Sequence, residues 1–346
     1  MKEEIIVTEE AIEEATQEEI RKSESPKPEK PKAGKEILGS FLLLITALIW
    51  GFAFVAQSKG MESVGPFTFN GIRSFVGAFA LIPVLLYNKS KIFKVYNAKK
   101  EEITESSKKN KILITGIITI GVVFFLATSS QQVGIGLTDS VGKAGFITAL
   151  YIVIVPLLGL FFKKRPGIVV YLCVLASAVG LYLLCIPKGS RFTIKTGDLL
   201  LVACAILFSA HILLIDFYSA RINGVLIAFC QFMVVGFFSL FGMLFFEHPT
   251  WESIRAAMLP ILYAGVLSSS IGYTLQIIGQ KYVEPTKASL IMCLESVFSV
   301  LGGWLILKQM LTLREGIGCI IMFISILVCQ IFGNKTASAS GDGLKE

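Results

Sequence analysis

Ten stretches of this chain each hold about 20 almost uninterrupted apolar residues, at roughly 38–58, 66–87, 112–132, 140–162, 167–186, 198–219, 225–246, 256–279, 287–307 and 314–333. At ~1.5 Å per residue, each is long enough to cross a ~30 Å hydrocarbon layer as a helix. The expectation is an all-α polytopic membrane protein with ten transmembrane helices. Gly65-Pro66, Arg165-Pro166-Gly167 and Glu284-Pro285 punctuate the ends of several runs.

Composition agrees with this reading. Of 346 residues 54% are hydrophobic and only 16% charged, which argues against a water-soluble enzyme. The formal net charge of +7 does not point to nucleic acid, because the basic residues sit in short clusters between apolar runs rather than on one face of a domain. The seven cysteines all lie inside apolar runs, with no CxxC and no histidine at ligand spacing. They read as small core residues, with neither a metal site nor a disulfide framework.

Residues 1–36 form a polar tail: eight glutamates fall within the first 20 positions, followed by a proline- and lysine-rich run. It has no apolar core of a secretory signal, and its charge blocks favour disorder. Residues 334–346 form a second polar tail. Lys and Arg fix the orientation, since basic loops stay cytoplasmic. With the N-terminus inside, nineteen basic residues of the loops and flanks face the cytoplasm and seven face out. Both termini are therefore placed in the cytoplasm, with the chain multi-pass in the plasma or inner membrane.

The chain also echoes itself. The run Ile147 to Arg165 can be laid on Ile291 to Gln309 at a constant offset of 144, which sets Lys143-Ala144 on Lys287-Ala288. A second offset lays Leu48-Ile49-Trp50-Gly51 on Ile206-Leu207-Phe208-Ser209, and Ile72-Arg73-Ser74-Phe75 on Cys230-Gln231-Phe232-Met233. The repeats are residues 37–187 (runs 1 to 5) and 188–333 (runs 6 to 10). Five is odd, so the second repeat enters the membrane in the opposite sense. Such inverted-topology repeats typify secondary transporters, whose substrate site lies near the midplane between the halves.

Several pieces carry a family resemblance: Leu48-Ile49-Trp50-Gly51-Phe52, Gly197-Asp198-Leu199-Leu200, Ser209-Ala210-His211-Ile212, Gln276 to Gln280, and Leu294-Glu295-Ser296-Val297-Phe298 with Gly303-Trp304-Leu305. From about residue 37 to 333 the chain resembles EamA-type exporters of the drug/metabolite transporter superfamily. The resemblance implies two EamA repeats, a ten-helix fold and export of small metabolites, often amino acids. The sequence departs from the family's frequent Glu-Pro at Glu295-Ser296, and from its later Gly-Glu at Lys308-Gln309.

A charge in hydrocarbon costs at least ~2.5 kcal/mol, so an ionisable residue within a run is a functional candidate. Arg73 and Glu295 stand out, about 10 Å from one face and about 13 Å from the other, a vertical gap of ~7 Å. They are expected to face one central cavity, pairing directly or through substrate. Glu295 could carry a coupling proton, or hold a substrate ammonium while Arg73 takes the carboxylate. Under the two offsets Glu295 corresponds to Tyr151 and Arg73 to Gln231. Gln276 and Gln280, at i and i+4, share a helix face, and with Gln231 and His211 they could give directional hydrogen bonds. Helix-to-helix bonding is the competing use of such residues. Trp50, mid-run rather than interfacial, is the aromatic residue expected in the pocket wall. Ser268-Ser269-Ser270 with Gly265 and Gly272 would permit close helix approach, and Lys143 and Lys287 are expected to snorkel to the interface.

No GxxxxGK[ST] loop supports an ATP-driven pump, and the only histidines, His211 and His248, form no HExxH. A channel would present rings of like residues. The sequence therefore points to a secondary carrier, not an enzyme, needing no cofactor. Its partners would be a small polar solute, the lipid bilayer and a proton as coupling ion, with amino acids ahead of nucleosides, sugars or drug-like compounds.

Overall fold

A computed structural model describes residues 33–87, 103–137, 141–161, 166–186, 189, 194–307 and 312–339. Both polar tails, apart from their helix-flanking residues, and most loop lysines used for orientation lie outside them. Every regular element among the described residues is helical. Nine helices among them are long and apolar enough to cross a membrane by length and composition. The remaining apolar run, 287–307, is built from two shorter helices. The spans are numbered here in chain order.

Span 1 is Ala33–Met61 and span 2 Pro66–Tyr87; span 3 is Ile103–Leu137 and span 5 Ile168–Cys185. Span 6 is Thr196–Ser219, span 7 Gly224–Phe246 and span 10 Leu313–Ala339. Spans 4 and 9 are each broken once. Span 4 consists of Val141–Ala149 and Tyr151–Phe161, and span 9 of Pro285–Met292 and Leu294–Leu307. At both breaks the ladder tightens to i→i+3 bonds, from Val153 N to Leu150 O (2.9 Å) and from Ser296 N to Cys293 O (3.1 Å). Leu150 and Cys293 differ by one residue from the offset of 144.

Span 8 is composite: Met258–Leu262, a π-helical segment Tyr263–Gly272, then Tyr273–Gln280. The 3.6-residue pattern gave no sign of the π segment, which carries the triple serine. Span 1 side chains satisfy its carbonyls: Thr46 Oγ1 donates to Gly272 O (3.2 Å) and Trp50 Nε1 to Ser268 O (3.4 Å). Tyr263 OH returns a bond to Ile49 O at 3.2 Å. The close approach expected at the small residues is present. A Cβ added to Gly265 would stand 2.9 Å from Arg73 O, and one added to Gly77 2.7 Å from Ser269 Cβ.

The most extensive packing joins span 5 to 10, span 2 to 7, span 3 to 6, and span 1 to 8 and 9. Each of these pairs takes one member from residues 37–187 and one from 188–333, so the two halves interleave rather than sit side by side. Large apolar side chains such as Leu175, Phe245 and Phe246 point outward, as they do where lipid is the solvent. Small and polar residues line the helix contacts. Span 2 begins with Pro66 at its first turn, where the missing N–H costs nothing. Glu247, at the end of span 7, caps it by accepting from Phe67 N (2.8 Å), Thr68 N (2.8 Å) and Thr68 Oγ1 (2.6 Å).

Lys287 departs from the snorkelling expectation. It is buried, and its Nζ lies 2.9 Å from Glu36 Oε1 at the start of span 1. An acidic partner on an adjoining helix satisfies the ammonium where it stands. The side chain of Lys143 lies outside the described residues.

Candidate functional site

Arg73 sits on the inner face of span 2, where Gly71, Ser74 and Gly77 keep the neighbouring helices close. Its Nε donates to Asn70 Oδ1 at 2.9 Å, and Asn70 Nδ2 donates in turn to Thr128 O of span 3 at 3.2 Å. The guanidinium carbon stands 5.7 Å from the Phe69 ring centroid. One edge of the guanidinium is thus fixed, while its terminal nitrogens have no partner among the described residues. Asn70 was not singled out from sequence, although its i−3 spacing from Arg73 carried the signal.

Glu295 opens the second half of span 9, directly after the break. Span 1 can lie against it because of Gly51: a Cβ there would stand 2.8 Å from Glu295 O. Glu295 Oε1 accepts from Tyr151 OH at 3.1 Å, while Oε2 has no partner among the described residues. Two residues related by the offset of 144 therefore touch each other. No ion pair joins Arg73 to Glu295 among the described residues, so the direct pairing weighed from sequence is not formed.

Both charged residues line one cavity together with Trp50, Tyr151 and Gln276. These are five of the eight candidates drawn from sequence. The cavity wall also includes Gln57, Gln131, Thr148 and Tyr273, which sequence reasoning passed over. Gln57 lies two helical turns after Trp50 and Gln131 is a lone amide in an apolar run, so a signal existed for each. Tyr273 packs against Trp50 with the rings tilted by 47° (centroids 4.5 Å apart) and meets Phe124 edge-on (4.7 Å), fixing the aromatic wall. The free space inside is about 40 Å³, room for a few waters but not for a metabolite. Loading a solute therefore requires the helices to part.

His211, Gln231 and Gln280 are not in that wall. His211 Nε2 and Gln231 Oε1 are hydrogen-bonded at 3.0 Å across spans 6 and 7, and the imidazole stacks on Phe124 at 4.8 Å. Gln280 Nε2 donates to Ile212 O at 3.3 Å. Gln276 and Gln280 share a helix face but stand ~6 Å apart along the axis, and only the first reaches the cavity. Among the described residues no cluster of His, Cys, Asp or Glu could hold a metal ion.

The comparisons with known proteins follow the same lines. The chain is similar to an uncharacterized transporter of Archaeoglobus fulgidus, 28% identical over 86% of this chain and 87% of that protein. It is also similar to the uncharacterized transporter YoaV of Bacillus subtilis, at 23% identity over 87% and 96% of the two chains. The uncharacterized inner membrane transporter YicL of Salmonella typhimurium is 22% identical over 89% of this chain and 100% of its own. A solved crystal structure shares the fold with a TM-score of 0.70 at 16% identity, covering 86% of this chain and 98% of that one. The profile of the EamA-like transporter family matches residues 37–186 and again 195–330. With multi-pass helices and a cavity lined from both matched stretches, the chain belongs to the EamA-like transporter family, within the drug/metabolite transporter superfamily.

Proposed function

We propose that this protein is a secondary carrier that exports a small polar metabolite, amino acids or related compounds first, by alternating access around the central cavity. The observation that carries this reading is the disposition of Arg73 and Glu295. One comes from each half of the chain, both are buried and line one cavity, and neither neutralises the other. Buried charges are retained only where a partner repays their desolvation. A zwitterion supplies both partners at once, its carboxylate on the free edge of Arg73 and its ammonium on the free oxygen of Glu295. Without substrate, a proton on Glu295 serves instead, which would couple export to the proton gradient.

The two stretches that match the family, the paired breaks in spans 4 and 9 and the interleaved packing support two inverted repeats, 37–187 and 188–333. The excess of basic residues on one side supports cytoplasmic termini, and YicL's description favours a plasma or inner membrane. The second reading, a carrier of nucleosides, sugars or drug-like compounds, is favoured by the aromatic wall of Trp50, Phe208 and Tyr273, on which a flat ring could stack. Counterflow in proteoliposomes, with labelled amino acids, nucleosides and sugars, separates them. Saturable amino-acid counterflow lost in Glu295→Gln supports the first. A nucleoside or sugar flux indifferent to Glu295→Gln replaces it with the second. Conductance without counterflow makes the protein a channel.

A further inference from the structure

Six glutamines among the described residues are more than nine-tenths buried, and they fall into two groups. Three have one partner each within the protein and leave the other amide atom without one: Gln132 Nε2 donates to Met61 Sδ at 2.7 Å, Gln231 meets His211, and Gln280 reaches Ile212 O. The other three, Gln57, Gln131 and Gln276, have none among the described residues, and these three line the central cavity.

Helix-to-helix bonding, the ordinary use of a glutamine in a span, therefore does not account for these three. They come from spans 1, 3 and 8 and converge on one space. Each amide offers two donors and an acceptor, and a buried amide left unpaired costs free energy comparable to a lost hydrogen bond. Water meets that need while no solute is bound. A solute entering the cavity displaces the water and must then match the amides. An apolar side chain leaves them unpaired; a carboxamide or hydroxyl does not.

We infer that Gln57, Gln131 and Gln276 select the uncharged part of the substrate, so that the preferred solute is a zwitterion whose side chain bears a carboxamide or a hydroxyl. This rests on the carrier reading above. A site built to hydrogen-bond a polar group discriminates strongly against the analogue that lacks it, whereas an apolar pocket distinguishes single methylenes only weakly. The aromatic wall sets the width of the space; the amides set what it accepts.

The test is binding to the purified full-length protein in detergent, read as the rise of melting temperature with ligand concentration. The probes are L-glutamine and L-serine against the near-isosteric L-norleucine and L-2-aminobutyrate. Wild type is expected to half-saturate at roughly tenfold or more lower concentration with each polar probe. Gln57→Met and Gln276→Met should narrow that gap to about threefold or less while still binding zwitterions. Because these amides hold no protein partner, both variants should also melt, ligand-free, no lower than wild type. Gln57→Asn, which keeps an amide, checks that any loss is not a folding failure. Equal half-saturation by polar and apolar zwitterions in wild type overturns the inference and leaves the carrier reading intact. So does a gap that survives both Met variants, or a ligand-free melting temperature that falls in them. A protein stabilised by no zwitterion at all overturns the carrier reading, and this inference with it.

Discussion

The central cavity and the His211–Gln231–Gln280 cluster are built from the same kinds of residue in the same kind of surroundings, yet they differ in one respect. In the cluster, each side chain spends one polar atom on a bond across spans 6, 7 and 8, at 3.0 Å between His211 and Gln231 and 3.3 Å from Gln280 to Ile212 O, and its other polar atom, buried away from the cavity, has no partner among the described residues. In the cavity, Arg73 and Glu295 each spend one edge on an orienting neighbour, Asn70 or Tyr151, and keep the other free. A buried polar group whose bond runs across a helix interface, away from the cavity, holds helices together. One that is oriented by a neighbour and lines the cavity with bonding capacity to spare is poised for something that comes and goes.

Mutations can break or sharpen that contrast. Glu295→Gln should have the largest effect, lowering counterflow by roughly a hundredfold, about 2.7 kcal/mol, as expected for losing a charge-assisted contact, while the protein remains folded by detergent size exclusion. Near-normal flux would put Glu295 with the cluster. Arg73→Gln should weaken half-saturation roughly tenfold or more, and Asn70→Leu, which frees the guanidinium edge, should give a smaller loss in the same direction. An effect of Asn70→Leu on melting temperature alone would make that contact purely structural.

Gln231→Leu acts on the other region. It should lower stability by about 1 kcal/mol, in the range of interhelical hydrogen bonds, and leave half-saturation within about threefold of wild type; a thermal melt beside a flux assay reads both. A flux lost without loss of stability would move His211 and Gln231 into the transport path. Smallest of all, Gln280→Leu should cost about 0.6 kcal/mol with no change in flux, seen as a small drop in melting temperature.

Much of this was open to reading from residues alone. Arg73 and Glu295 announced themselves as charges inside apolar runs, and the offset of 144 that matched Glu295 with Tyr151 ended in a hydrogen bond between them. Gln231 and Gln276 looked equivalent in sequence, both amides in apolar stretches, and the structure sent them to different fates. Asn70, Gln57 and Gln131 gave weak signals that only the convergence of spans 1, 2 and 3 made meaningful. The π segment Tyr263–Gly272 gave none, since serine and glycine suit either winding and one extra residue per turn leaves the apolar pattern almost unchanged.

The sequence by itself determined the helical, polytopic class and which residues carry charge into the membrane. The reason is that hydrocarbon tolerates backbone polar groups only when each segment satisfies its own, so length and apolarity suffice to define a span. What the tertiary structure decided was which polar groups are paired. Partners here lie far apart in the chain, Tyr151 with Glu295 and Thr46 with Gly272, and whether a side chain meets one depends on the rotation and separation of helices that no local pattern encodes.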